Sequence, residues 1–200
     1  MIGLYILGFG GHARSVADIA IAAGIRDLIF VDPKATPKSS FAGFSAVSNL
    51  PESLPEGWKI FPAIGDNLRR RAACDDLRAV LATLVSPDAS VGIAASLGQG
   101  TVVARQAHVG PNARIGAGVI VNTGAVVEHD CEVGDFAHIS VNATVAGSCR
   151  VGANVMIGAG ATVIDGITIC DDAVIGAGAT VIGNIQDRGV YVGTPAKRIR

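Results

Sequence analysis

Two histidines stand nine residues apart in a stretch whose residue types could move protons. His129 lies between Glu128 and Asp130, and His138 follows it. An imidazole with an ordinary pKa near ~6.5 is neutral at pH 7 and can take a proton from an attacking nucleophile. Gly147 comes eighteen residues after His129. A bare glycine N–H is the kind of donor that steadies a developing oxyanion, worth ~3 kcal/mol when well aimed. A second candidate site lies at the start of the chain. Gly8-Phe9-Gly10-Gly11-His12-Ala13 follows an apolar run and opens a helical pattern, and Asp32 ends the next apolar run twenty-four residues after Gly8. That spacing satisfies the dinucleotide fingerprint formally. The helix start would offer N–H groups to phosphate, and His12 and Arg14 could add charge. The segment has half the length needed for two mononucleotide units, so it reads as holding one nucleoside diphosphate. A tight turn with no ligand is the competing reading, and Asp32 and Asp66 also suit a strand end and a helix N-cap.

The elements that must position these residues are set by a repeat. From Val91 to Val181 every sixth residue is aliphatic, through sixteen hexapeptides without a slip. A small or β-branched residue precedes each by two places, and a turn former such as Asn112, Gly124, Asp130 or Asn154 follows most of them by three. A fixed hexapeptide period is the signature of a parallel β-helix. Three six-residue strands make an eighteen-residue coil, so the repeats give a little over five coils, on the order of 25 Å tall at ~4.8 Å per coil. The spacing alone does not set the handedness. Gly147 should therefore stack one coil above His129, whereas His138, half a coil away, should lie across the prism. The two imidazoles can share a site only where the corner of one prism meets the face of another.

The repeat also shows where it is broken. The residue after each aliphatic position is usually glycine, but Asn122, Glu128, Ser140 and Ala146 replace it, Phe136 stands where a turn former belongs, and both histidines fall in this same window. Departures from a chain's own rule are expected at functional or strained sites. At a coil corner His129 should point outward.

Residues 1–85 follow other rules and form a candidate α/β domain, a small parallel sheet of Rossmann-like half size. Strands are expected at 2–7, 28–31, 58–64 and 80–85, with helices at 13–23 and 68–78. Residues 33–57, which hold four of the eight prolines, should be loop. Residues 86–200 form the β-helix domain, joined without a flexible linker, with Gly193-Thr194-Pro195-Ala196-Lys197 capping its open end. Lys and Arg total 16 against 17 Asp and Glu, and aromatics make up 4% of the chain, which excludes a nucleic-acid surface built on charge and stacking. The four cysteines show no CxxC spacing, and Cys131 and Cys149 occupy the small-residue slot of the coil. Without disulfides, a basic leader or a bilayer-spanning stretch, the chain reads as soluble and cytoplasmic.

The segment Asn122-Thr123-Gly124-Ala125-Val126-Val127-Glu128-His129-Asp130-Cys131, with His138-Ile139-Ser140 and Ala146-Gly147, resembles the left-handed β-helix sugar acyltransferases. The group in question contains sialic-acid O-acetyltransferases and N-acetyltransferases of nucleotide-linked 4-amino sugars. Gly8 to His12, Ala63-Ile64-Gly65-Asp66-Asn67 and the Gly193 to Lys197 tail carry the resemblance over essentially the whole chain. It implies left-handed coils, a homotrimer with sites between neighbouring prisms, and acetyl-CoA as co-substrate without a metal. It implies His129 as general base, oriented by Asp130, although some relatives carry a longer Glu there and Asp also suits that corner for turn reasons. His138, Gly147 and Ala159 would then contact acetyl-CoA. Gly10, Gly11, His12, Asp32, Gly65, Asn67 and Asn122 would contact a nucleotide-linked sugar. The implied activity is acetyl-CoA-dependent N-acetylation of a UDP-4-amino-4,6-dideoxy-sugar type of acceptor for surface glycan biosynthesis. O-acetylation of a sialic-acid-like sugar is the alternative, followed by a non-catalytic nucleotide-binding scaffold. A metal hydro-lyase like the γ-type carbonic anhydrases lacks its His-x4-His spacing here, and a dehydrogenase lacks its second nucleotide half.

Overall fold

In the computed structural model, which describes residues 1–74, 77 and 81–200, the hexapeptide period becomes strand register. Each two-residue strand pairs in parallel with the one eighteen residues on: His108 with Val126, Val126 with Thr144, Arg114 with Glu132, Ile120 with His138. The aliphatic positions point inward. Val109, Val121, Val127, Ile139, Val145 and Ile157 are completely buried, together with the small residues Ala125, Cys131, Ala137, Ala143 and Cys149. Val, Ile, Ala and Cys fill a narrow prism that larger side chains would overpack.

The prism has three faces. One sheet, beginning at Leu84–Val85, presents Val102, Ile120, His138, Met156 and Val174. A second presents Ser96, Arg114, Glu132, Arg150 and Thr168, and ion pairs join Glu132 to Arg114 and Arg150. The third presents Ser90, His108, Val126, Thr144, Thr162 and Thr180, all short or uncharged. At the top, Val190–Val192 pairs with Val174–Ile175, and Lys197–Arg198 folds back on it through a turn containing the cis Thr194–Pro195 bond.

The N-terminal domain covers the first face. It comprises β1 (Gly3–Leu7), α1 (Gly11–Ala22), β2 (Asp27–Val31), β3 (Ser40–Phe41), β4 (Phe44–Val47), β5 (Trp58–Pro62) and α2 (Asn67–Cys74), with sheet order β3-β4-β2-β1-β5. Its core continues into the prism: Leu4, Ile6, Val16, Phe30 and Phe61 share one apolar cluster with Leu84, Val102, Ala104 and Ile120. Four expectations need correction. Residues 33–57 are not all loop, because β3 and β4 form a hairpin whose second strand pairs in parallel with β2. The helix expected at 13–23 starts at Gly11, which puts the glycine loop directly on its N-terminus. The strand at 58–64 stops at Pro62, on the sheet's outer strand where proline is tolerated. The second helix starts at Asn67, and Asp66 caps it by accepting the Arg69 amide at 2.8 Å. Its expected end at 78 and the strand start at Val80 lie outside the described residues.

Candidate active site

His129 and Asp130 form one corner of the prism, between the charged face and the uncharged face. Asp130 takes the left-handed conformation that the corner demands, with φ 59°. Its carboxylate is held from two sides. Asn112, one coil below, donates Nδ2–H to Oδ1 at 2.7 Å, and the His129 Nδ1 lies 2.8 Å from Oδ2. The bond to Asp130 raises the His129 pKa above its usual value, while the Asn112 and His129 bonds lower that of Asp130. With Nδ1–H directed at the carboxylate, Nε2 is the free basic nitrogen. The corner formed by Asn154 and Asp172 repeats the Asn–Asp rung, at 3.0 Å. The rung is therefore a structural device of this prism, and the His129 contact distinguishes one copy of it.

Gly147 stacks on His129 as the eighteen-residue coil requires. A Cβ added at Gly147 would sit 2.7 Å from both Cε1 and Nε2 of the imidazole, so the ring packs directly against bare backbone. Both flanks of this glycine are tied to the His129 coil: the Cys131 thiol donates to Ala146 O at 3.1 Å, and the Ser148 amide donates to His129 O at 2.9 Å. No backbone acceptor among the described residues takes the Gly147 N–H. Cys131 and Cys149 are interior residues of the coil, as their slot predicts.

His138 lies on the docked face, under the N-terminal domain. Its Nε2 is 3.0 Å from Asn122 Nδ2, so Nε2 accepts and Nδ1–H faces Gly65 O at 3.4 Å. His12, at the first turn of α1, places its ring 6.4 Å from that of His138, and its Nε2 is buried without a partner. Burial and the nearby Arg70 charge push both imidazoles down to about 4. Asn122, His12, His138 and Gly65 thus meet in one place, apart from His129.

These depressed values carry a stability consequence. At pH 7 both rings are neutral, folded and unfolded alike. Between the unfolded pKa near ~6.5 and the folded value of about 4, the unfolded chain binds protons that the folded one refuses. Stability present above ~6.5 is therefore lost as pH falls, by up to ~3 kcal/mol for each ring. Thermal melts should show Tm dropping steeply from pH 6.5 to 4.5, and a flat profile over that range would contradict the buried neutral pair.

The glycine loop lines a separate cleft of about 550 Å³. Gly8, at φ +109°, turns the chain where a Cβ would press on Ala63 O at 3.1 Å. Gly10 is the N-cap of α1, with no side-chain cap and no acidic residue in the first turn, so the helix's positive end is unneutralised. Asp32 borders the cleft with one carboxylate oxygen accepting the Lys34 amide, the strand-end turn foreseen for it. Arg69 also lines the cleft. Arg14, by contrast, stacks its guanidinium over Phe9 and Phe41 and is absent from the lining. Asn67 turns away from the cleft and donates to Asn154 O and Val155 O of the prism.

Sequence reasoning missed Arg70. It reads as one of three consecutive arginines on a solvated helix, yet it is fully buried. The signal was available in the spacing: Asn67, Arg70 and Cys74 share one helical face, and all three are buried.

A repeat prism with a corner imidazole over a bare glycine amide, carrying a small α/β domain with a glycine-loop cleft, defines an acyltransferase of the hexapeptide class. Residues 148–183 match the bacterial transferase hexapeptide model and residues 3–77 match the PglD N-terminal domain. The acetyltransferase domain of PglB from Neisseria gonorrhoeae, solved with acetyl coenzyme A, is 36% identical over 98% of each chain, with a TM-score of 0.90. Perosamine N-acetyltransferase from Caulobacter crescentus, solved as a variant with CoA and GDP-perosamine, is 32% identical over 98% of this chain and 96% of its own, with a TM-score of 0.89. WeeI from Acinetobacter baumannii shares the fold at 17% identity, over 100% of each chain, with a TM-score of 0.76. Comparison with curated proteins gives no match. The chain belongs to the left-handed β-helix family of acetyl-CoA-dependent sugar N-acetyltransferases.

Proposed function

We propose that the chain transfers an acetyl group from acetyl-CoA to the amino group of a nucleoside-diphosphate-linked amino sugar, in a homotrimer whose sites lie between neighbouring prisms. The observation that carries this reading is the Gly147 amide, without a backbone acceptor among the described residues, beside the His129 ring, with Nδ1 of that ring anchored on Asp130. The sugar amine attacks the thioester carbonyl, His129 Nε2 takes the proton released by the forming C–N bond, and the Gly147 N–H supports the carbonyl oxygen as it gains charge. The same imidazole returns the proton to the departing CoA sulfur. Relatives solved with acetyl-CoA, and with CoA and GDP-perosamine, support the two substrates.

The three faces support the assembly. One is covered by the chain's own N-terminal domain and one carries ion pairs; the third is short and uncharged, and suits packing around a three-fold axis. Turning that face inward brings the His129 corner of one prism beside the opposite corner of the next. That second corner carries Asn122, Thr123 and, two coils up, Ala159, with His138 and His12 just behind it. The acceptor's diphosphate then lies on the α1 N-terminus in the cleft, its sugar reaches toward Asn122, His138 and Gly65, and the pantetheine arm runs between the corners past Gly147 and Ala159. Asn67 acts through docking rather than contact. Cytoplasmic operation fits a nucleotide-linked acceptor.

Two measurements test this. Thiol release should be followed with acetyl-CoA and a panel of GDP-, UDP- and CMP-linked sugars with and without a free amine. Release confined to the amino sugars, with a hydroxylamine-resistant product, supports N-acetylation, and a hydroxylamine-labile product means O-acetylation. Gly10→Val should fit the fold, because Gly10 has φ −82° and ψ −171° and nothing within 4 Å of its added Cβ. It should raise the KM for the nucleotide sugar by about tenfold, equivalent to ~1.4 kcal/mol, and leave that for acetyl-CoA unchanged. Weakened acetyl-CoA with an unaffected acceptor would mean the substrates are assigned to the wrong domains.

A further inference from the structure

Arg70 is the largest fully buried side chain among the described residues. Its guanidinium reaches six acceptors among the described residues, and all six are neutral. Nε donates to Gly118 O at 2.7 Å. Nη1 donates to Ile64 O and Gly65 O at 2.9 and 3.2 Å. Nη2 donates to Asn67 Oδ1, Phe136 O and Ala137 O at 2.9, 2.7 and 3.3 Å. Burial lowers its pKa to about 10, so it remains a cation at neutral pH. Desolvating a charge against neutral acceptors is a poor way to glue two domains, since an apolar residue of like volume would do it at less cost.

The position of the six acceptors gives the charge a purpose. Ile64 belongs to the wall of the glycine-loop cleft. Gly65 O accepts from Arg70 and also faces the His138 Nδ1. Phe136 and Ala137 are the two residues immediately before His138, and Phe136 holds a left-handed φ of 57° that a bulky side chain rarely adopts. A five-donor planar fork can fix that corner and the cleft wall in one geometry, which the point charge of lysine cannot.

We propose that Arg70 is a positioning residue for the transfer reaction: it clamps the cleft wall at Ile64–Gly65 to the prism backbone at Phe136–Ala137, and so sets His138 at the acceptor's reacting end. The proposal rests on the reading of the cleft and of His138 as the acceptor side of the site. Arg70 touches no substrate and acts through Gly65 and His138.

The test uses the intact protein carrying Arg70→Lys or Arg70→Gln. GDP and UDP binding is measured by calorimetry, kcat and KM by thiol release, and the His138 titration by NMR of the labelled ring. Nucleotide affinity and the acceptor KM should stay within about threefold of the unmodified protein. The kcat should fall about tenfold for Lys and about 10²-fold for Gln, and the His138 midpoint should rise as the neighbouring positive charge is lost in Gln. A folded variant with undiminished kcat overturns the proposal. So does a parallel fall of nucleotide affinity and kcat, which marks a structural wall only, and so does loss of the fold in both variants, which makes Arg70 a folding residue. If the unmodified protein itself binds neither nucleotide and acetylates no nucleotide-linked amino sugar, the functional reading fails instead.

Discussion

Replacing His129 with alanine should lower kcat by ~10²-fold or more and leave acetyl-CoA binding and Tm nearly unchanged. The side chain is outward-facing and bonds to Asp130, whose corner conformation is also held by Asn112. Removing the ring therefore takes away the proposed proton acceptor without opening the core. Asp130→Asn should cost less. It removes the carboxylate charge whose bond to Nδ1 raises the His129 pKa, so the acid limb of the kcat profile should move to lower pH as kcat itself falls. Steady-state kinetics over pH 5.5–9 would show both effects. A His129→Ala protein with near-normal kcat at saturating substrates would remove His129 from the chemistry.

Gly147→Ala should be nearly as damaging, for a different reason. The backbone of Gly147 is not in the left-handed region, so alanine brings no conformational penalty of its own. What its methyl meets is the His129 ring, 2.7 Å from Cε1 and Nε2. That ring is the end of an exposed side chain and can rotate away cheaply, which protects the fold but breaks the Nδ1 contact with Asp130. Displacing a catalytic group by about 1 Å can cost ~10²-fold, and kcat should fall on that scale while Tm stays within a degree or two. Equal losses of Tm and activity would indicate a packing position, and undiminished kcat would mean that the ring need not lie against this glycine.

The parts of this site that the sequence exposes are those set by local period. Six-residue spacing determines strand register, and register alone stacks Gly147 on His129 and puts His138 on another side of the prism. The corner address of His129 follows from counting. The surroundings of His138 do not, because they come from docking a domain more than sixty residues upstream onto one face. The same applies to Arg70, whose neighbours Arg69 and Arg71 make a solvated reading natural. The β3–β4 hairpin escaped notice for a chemical reason. Its turn residues Ala42 and Gly43 both have positive φ, as the tight mirror-image turns of hairpins require, but Ala-Gly is a weak signal beside the usual Asn-Gly.

The claim on which the functional account depends is that one catalytic site draws His129 from one subunit and His138 from the next. Mixing inactive chains tests it. His129→Ala and His138→Ala proteins, each reduced to a small fraction of normal turnover, are co-expressed with different tags and purified together. In a random three-fold mixture, each mixed trimer joins an intact His129 to an intact His138 at one of its three interfaces, so activity should return to about one quarter of normal. A mixture as inactive as its parents, in trimers shown by tandem purification to contain both chains, would place the two histidines in the same subunit's site or outside the chemistry and contradict the account.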